Sequence, residues 1–320
     1  MDGFAFMALS ENKRLPSIGV LMINYNQWDL TLKCVKSLLE SEGVSVFIGL
    51  VDNNSRDPDP DWVTNIQEIS FHRNSGNYGF IAGNIKAYEM VIQQNVDFVI
   101  LLNNDTEVDP GMLLHLVTHF EKYPDTGLAT PAISYAENRS IIWHAGGTFH
   151  PRKMGVRQLY ATVADLPEMA VEVDQISGCA MMMRTELFKK IGYQNPDLFI
   201  YHEDVEQSLK SKEMGFKNYL VPEARMIHHV SITVGGVLSP FAVYYTHRNR
   251  YIFASRNLKK MDLFAFRLYY FAVTLVKTII YPLKKSGNLV YWMWLALLHG
   301  VMNTPSRRPA ALFPDPEGNK

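Results

Sequence analysis

Cysteine is nearly absent: the 320-residue chain holds two, Cys34 and Cys179, both in apolar stretches. That excludes a disulfide framework and any metal centre built from thiolates alone, and predicts two buried free thiols in a reducing compartment. Net charge is equally scarce, −1 overall with 20% charged residues, which gives no reason to expect nucleic acid as a partner. No uninterrupted apolar run reaches the roughly 20 residues that span a bilayer. Residues 263–281 are broken by Arg267 and Lys277, and residues 289–298 (LVYWMWLALL) are too few. The N-terminus, MDGFAFMALSENKRLP, lacks a basic opening and a long apolar core, so a cytoplasmic chain without a signal peptide is expected. Internal repeats and low-complexity tracts are also missing. With 47% hydrophobic residues, one large or two smaller globular domains are expected.

The charge that is present is unevenly placed. Residues 242–308 hold eleven Lys or Arg and a single acid, Asp262, leaving 20 basic and 31 acidic residues elsewhere. A uniform surface would not segregate charge in this way, so the C-terminal part is expected to meet something anionic. Lys260, Arg267, Thr274 and Thr278 fall near one helical stripe, accompanied by Trp292, Trp294 and several tyrosines. A helix lying in the headgroup region of an anionic membrane suits that composition. A helical subdomain packed on the core, or a homodimer through these helices, suits it as well.

Upstream, short apolar runs rich in β-branched residues predict buried strands at 17–25, 46–51, 69–72 and 97–102. Helical spacing predicts helices at 28–40, 79–94 and 111–123, the last with Pro110 near its first turn. Alternation of this kind means βαβ units and an α/β fold: one Rossmann-like, mostly parallel sheet flanked by helices. Ligands bind at the carboxyl ends of strands in such sheets. Past residue 130 the pattern weakens into mixed strands and loops up to residue 180. Short helices follow at 185–191 and 204–214, Gly215 stopping the second, and then a strand at 217–221.

Four polar clusters each follow an apolar run: Asp52-Asn53-Asn54-Ser55, Asn103-Asn104-Asp105, His202-Glu203-Asp204 and His228. Hard divalent cations such as Mg²⁺ or Mn²⁺ take oxygen ligands, and need few from the protein when phosphates supply the rest. Asp105 at a strand end suits that need, although Asn and Asp favour turns there in any case. Glu203 and Asp204 open a helix, where acids are favoured by the helix dipole. Two adjacent acids after an aromatic approach also put one carboxylate into a cleft, where a general base belongs. His228 could supply an imidazole, and the Ser231 to Gly236 stretch after it reads as a flexible loop. The loop from Asn74 to Asn84 (NSGNYGFIAGN) lets backbone approach a phosphate or sugar at a helix start. It is no Walker loop, and it lies too late in the chain for a dinucleotide fingerprint, so NTPases and NAD enzymes are not indicated.

In this order the motifs resemble the family 2 inverting glycosyltransferases of the A-type fold, most closely their rhamnosyltransferase-like branch. The matching residues are Ile23-Asn24-Tyr25-Asn26, Asp52-Asn53-Asn54-Ser55, Asn77 through Asn84, and Leu101 through Thr106. Ser177 through Arg184, Glu203-Asp204 with Gly215, Ala224 through His228 and Tyr244 through Asn249 complete the set. The resemblance covers residues 16–250. It implies a catalytic domain at 16–242 binding a nucleotide-sugar, between a tail at 1–15 and a basic apolar helical extension at 243–304, with a disordered tail at 305–320. It also implies roles. Asn24, Tyr25, Asn26, Asp52 and Asn54 would line the nucleobase and ribose pocket; Asn77, Gly83, Asn84, Asn103 and Asn104 would face the donor. Asp105 and His228 would hold Mg²⁺ or Mn²⁺. Asp204 would be the base, and Glu203 would position it or meet the acceptor. Where the family has Asp-x-Asp this chain has Asn103-Asn104-Asp105, with one carboxylate. The implied activity is transfer of a sugar, rhamnose from dTDP-rhamnose, to a glycan or lipid-linked acceptor at the inner face of the membrane in cell-surface polysaccharide synthesis. A UDP-sugar donor, or a non-catalytic assembly protein on the same fold, are the alternatives.

Overall fold

The computed structural model describes residues 14–192, 198–230, 239–283 and 286–303. The tails, the loop at 231–236 and the end of the chain from 305 lie outside them. In chain order the first half runs β1 (Ser17–Asn24), α1 (Trp28–Leu39), β2 (Ser45–Asp52), α2 (Trp62–Asn65), β3 (Ile69–Arg73), α3 (Gly79–Val91), β4 (Phe98–Leu102), β5 (Thr106–Val108) and α4 (Met112–Lys122). Then come β6 (Thr126–Tyr135), β7 (Ile142–His144), β8 (Gly147–His150), β9 (Gly155–Gln158), β10 (Val171–Val173), β11 (Ala180–Arg184), α5 (Thr185–Ile191), α6 (Glu203–Glu213) and β12 (Lys217–His228). Three helices close the described chain: α7 (Pro240–Asn257), α8 (Lys260–Leu283) and α9 (Asn288–Val301).

One sheet carries the molecule, in the order β10-β12-β6-β11-β4-β1-β2-β3, with β5 on β12 and β7 on β6. The half formed by β4, β1, β2 and β3 is parallel throughout, as the βαβ alternation predicts. Beyond β4 the sheet becomes mixed: β11 runs antiparallel to both β4 and β6, while β12 is parallel to β6. Apolar strands here are covered on both faces, which is why they read as continuous hydrophobic runs. One core lies under α1 and α4 around Val20, Ile48, Ile100 and Phe120. The other lies under α3 and α5 around Leu21, Val99, Met181 and Phe188.

Helix α3 meets β1 and β2 across three glycines. A Cβ on Gly19 would come within 2.7 Å of the Val91 side chain, one on Gly49 within 2.5 Å of the Ala87 carbonyl, and one on Gly83 within 2.8 Å of Ile23. Helix α7 begins at Pro240, with the Ser239 hydroxyl accepting from the Ala242 N–H at 3.1 Å, a capped start with proline in the first turn.

Helix α8 differs from expectation. Arg267 and Lys277 do not interrupt it, and its 24 residues make it long and apolar enough to cross a membrane by length and composition. Lys277 is accommodated by turning inward, its Nζ 3.1 Å from His247 Nε2. Thr274 and Thr278 also turn inward, donating to the carbonyls of Tyr270 and Thr274. The stripe of Lys260, Arg267, Thr274 and Thr278 is therefore divided: Lys260 and Arg267 are exposed, and the two threonines are not.

Candidate active site

The carboxyl ends of β1, β2 and β4 lie side by side, with Asn24 opposite Asp52 in the β1–β2 register. Asp52 is 0% exposed, and the protein uses both its oxygens. Oδ1 accepts from Asn24 Nδ2 at 2.7 Å and from the Ser55 hydroxyl; Oδ2 accepts from the Ser55 N–H at 2.8 Å and pairs with Arg73 Nε at 3.5 Å. Asn24 is equally consumed, its Oδ1 accepting from Thr31 Oγ1 at 2.9 Å. Asn104 turns toward this network, its Nδ2 2.7 Å from Thr31 Oγ1. The open side chains here are those of Tyr25, half-buried, and of Asn26 and Asn54, exposed and both at positive φ. Asp52 thus fixes the turn that presents them.

In the glycine-and-amide loop, Asn77 Oδ1 accepts from the Gly79 N–H at 3.0 Å. Gly83 and Asn84 are buried. Gly83 serves the close approach of α3 to β1, and Asn84 Nδ2 turns back to donate to the Phe80 carbonyl at 2.9 Å. Gly79 has φ +86°, and a Cβ there would strike the Phe199 ring.

Asp105 and His228 meet. His228 lies opposite Thr106 in the β12–β5 pairing, and its Nε2 is 3.0 Å from Asp105 Oδ1, with both side chains buried. The edge of Trp143 packs on the imidazole at 4.3 Å between centroids. Burial opposes a charge on His228, but the Cys179 and Asp105 side chains beside it hold its pKa above the ordinary histidine value. Burial also raises the Cys179 thiol, keeping it neutral, so Asp105 is the partner that matters. Asn103 is half-buried; its N–H donates to the Cys179 carbonyl at 3.0 Å and its carbonyl accepts from Thr106 Oγ1.

Glu203 and Asp204 sit at the start of α6, as expected. Asp204 is half-buried: Oδ1 accepts from the Val205 N–H at 2.8 Å and Oδ2 from Gln175 Nε2 at 3.0 Å, and the Gly178 N–H also serves it. Burial raises its pKa and these donors oppose the rise. Glu203 is buried, with Oε2 lacking a hydrogen-bond partner among the described residues. Burial first, and the Asp204 charge second, push its pKa up to about 8. At neutral pH Glu203 is therefore held protonated, while the donors from Val205, Gly178 and Gln175 favour the charged form of Asp204.

Below about 4.5, its ordinary value, Glu203 is protonated in both folded and unfolded chains. Between there and about 8 the unfolded chain releases the proton and the folded chain keeps it, so stability is lost as pH rises through that window. Glu203→Gln should melt higher than the native protein near pH 9 and match it near pH 4.5, by thermal denaturation across pH.

Ser177-Gly178-Cys179, in the turn before β11, joins these two pairs. Gly178 serves Asp204, and its neighbour Cys179 lies against His228. The sequence offered this tripeptide only as part of a resemblance, and gave no sign of Gln175. Another unassigned residue is Asn249. It is 0% exposed on α7, with Nδ2 2.9 Å from the Leu198 carbonyl, 2.6 Å from Ile200 and 3.1 Å from Tyr201. The segment it grips is strained: Phe199, Tyr201 and His202 have φ of +67°, +70° and +75°, a region that costs a residue with Cβ about 1 kcal/mol or more. Asn249→Leu strands these carbonyls and should destabilise the protein by about 2 kcal/mol in denaturant unfolding, with lower kcat from the misplaced Glu203–Asp204 pair.

Among the described residues no group of three or more His, Cys, Asp or Glu is placed to hold a metal ion. The Asp105–His228 pair nonetheless suits an ion shared with a diphosphate. One carboxylate oxygen and one imidazole nitrogen stand side by side there, donor types that would hold a divalent ion whose remaining ligands came from phosphate.

A mixed α/β sheet with its polar residues gathered at the strand ends, a buried Asp–His pair, and an acidic pair opening a helix together describe a glycosyltransferase of the A-type fold. Residues 19–192 match Glycosyl transferase family 2, and the chain belongs to that family. It is 23% identical over 253 residues to the low-salt glycan biosynthesis hexosyltransferase of Haloferax volcanii, covering 77% of this chain and 78% of that one. Over 174 residues it is 28% identical to the N-acetylglucosaminyl-diphospho-decaprenol L-rhamnosyltransferase of Mycobacterium tuberculosis, covering 49% of this chain and only 54% of that protein. A dTDP-rhamnosyl transferase of Shigella flexneri is 21% identical over 250 residues, 75% of this chain and 81% of that one. Among solved structures, GalNAc-T7 with UDP, GalNAc and Mn²⁺ superposes with TM-score 0.60 at 18% identity, covering 95% of this chain and 60% of that one. The mannosyltransferase of Pyrobaculum calidifontis with GDP-Man and Mn²⁺ gives 0.55 at 12% identity, covering 91% and 88%.

Proposed function

We propose that this chain is an inverting, metal-dependent glycosyltransferase that moves a sugar from a nucleoside diphosphate to an acceptor hydroxyl. The observation that carries the reading is the joining of the Asp105–His228 and Glu203–Asp204 pairs through consecutive residues, Gly178 and Cys179. Asp105 and His228 would hold Mg²⁺ or Mn²⁺, which when bound neutralises charge on the departing diphosphate. Asp204 accepts the proton of the acceptor hydroxyl as its oxygen attacks the anomeric carbon from the face opposite the diphosphate. The carbon–oxygen bond to the diphosphate breaks, and the configuration inverts. Both Asp204 oxygens already accept protein hydrogen bonds, from Val205, Gln175 and Gly178, which orients the carboxylate and leaves lone-pair capacity for the incoming hydroxyl. Tyr25, Asn26 and Asn54, presented by the Asn24–Asp52 turn, are the nucleoside contacts of this reading.

The donor we favour is dTDP-rhamnose and the acceptor a lipid-linked glycan of a cell-surface polysaccharide, met at the cytoplasmic face of the membrane. The rhamnosyl relatives support both choices. A UDP-sugar is the competing donor, supported by the UDP of the GalNAc-T7 structure. Thermal-shift measurements with nucleoside diphosphates and nucleotide-sugars, with and without Mn²⁺, separate them. A ligand present at about 100 times its Kd stabilises the folded chain by about 2.7 kcal/mol, so the preferred base and sugar appear as the largest Mn²⁺-dependent shift. No shift with any of them would remove the reading.

A further inference from the structure

On α8 the apolar residues face outward. Met261, Phe264, Leu268, Phe271, Leu275 and Ile279 recur at steps of three or four and form one exposed row, with Met261 78% and Ile279 67% exposed. The opposite face is the one the protein covers: Phe266 and Tyr270 pack with Tyr251 and Phe253 of α7 and Val205 of α6, and Lys277 faces His247. Only 17% of the most apolar window of α8 is buried. From Met261 to Ile279 the row covers about 27 Å of helix, a contiguous exposed apolar surface of the kind that marks an interaction site. Basic residues flank its start: Arg256, Lys259 and Lys260 are exposed at the turn into α8. Arg267 is the only charged residue lining a groove of about 450 Å³ between α8 and α9, shared with Leu268, Phe271, Trp294 and Leu298.

From this arrangement we infer that α8 docks side-on into an anionic phospholipid surface, its outward row entering the acyl boundary and its basic rim meeting the phosphates. This rests on the membrane-side acceptor proposed above and names the face that reaches it. Charge decides the occupant. A second copy would bring the same basic rim against itself, with Asp262 the sole acid between residues 242 and 308 available to pair. An anionic lipid surface supplies the missing charge everywhere along the row. The helix lies on the bilayer and does not cross it, because its inner face is already committed to α7 and α6 of the globular unit.

Flotation with vesicles of phosphatidylcholine, with or without phosphatidylglycerol, tests this on the full chain. The native protein should float with the anionic vesicles and do so about tenfold less on the neutral ones. Phe264→Glu with Leu268→Glu should lower anionic-vesicle binding by about tenfold or more, and Lys259→Gln with Lys260→Gln by roughly tenfold on anionic vesicles alone. Both pairs lie at exposed positions, and unchanged melting temperature and donor hydrolysis in vesicle-free buffer would show that the fold and the site are intact. Failure to float while nucleotide still binds would overturn the docking and spare the glycosyltransferase reading. Equal flotation of the glutamate variant would overturn it too, as would a dimer in ultracentrifugation that this variant splits.

Discussion

Asparagine at position 204 should slow sugar transfer by about 100- to 10,000-fold and leave donor affinity unchanged. The change is nearly isosteric: the amide oxygen can still accept from the Val205 N–H, and the amide NH2 can donate to Gln175 Oε1 once that side-chain amide flips, so the start of α6 keeps its shape. It cannot take a proton from the attacking hydroxyl. The loss, about 3–5 kcal/mol in the barrier, should fall on kcat, because the interaction exists only as the hydroxyl gives up its proton. Glu203 is a poor substitute: burial and the neighbouring charge keep it protonated at neutral pH. Steady-state transfer and nucleotide thermal shift on one preparation make the check. A variant that transfers at near-native rate would take Asp204 out of the chemistry.

The second large effect is expected at Asp105. Alanine there should cut transfer by about 100- to 1,000-fold, the scale on which removing a stabiliser of developing charge acts. It should also erase the Mn²⁺-dependent part of nucleotide binding. Without metal, native and variant proteins should bind nucleoside diphosphate equally weakly. His228→Ala should go the same way, and the double variant should cost less than the sum, since each residue depends on the other. An undiminished response of Asp105→Ala to Mn²⁺ would place the ion elsewhere. Lower pH should weaken metal binding in the native protein, because the proton that Asp105 helps hold on His228 must leave first.

Much of this was legible from residue order. The strands β1 to β4 were readable to within a residue or two because parallel strands covered on both faces are continuous apolar runs with turn residues at their ends. The start of α6 at Glu203 and the strand-end position of Asp105 were readable for the same reason. Beyond residue 130 most strands are short and pair antiparallel, the long β12 joins β6 in parallel, and pairings such as Ala180 with Leu102 join residues far apart in sequence. No local pattern carries them. Nor does composition reveal that Asp52 spends its oxygens on Asn24 and Ser55, that Gln175 reaches Asp204, or that Asn249 grips a strained segment from another helix. Periodicity found the stripe on α8 without telling which side the protein would cover. That choice was made by aromatic packing around Tyr251 and by the His247–Lys277 contact.

The three glycines beneath α3 bear on motion. With Gly19, Gly49 and Gly83 at the contact, backbone lies close to neighbouring chain where side chains would usually intervene. Few rotamers are available there to loosen one layer from the other. Helix α3, β1 and β2 should therefore open to hydrogen exchange together, as one cooperative unit, and on the slowest timescale of the molecule. The loop that leads into α3 is thus anchored to the most rigid part of the sheet, so any rearrangement that admits and releases the donor must be carried by other segments.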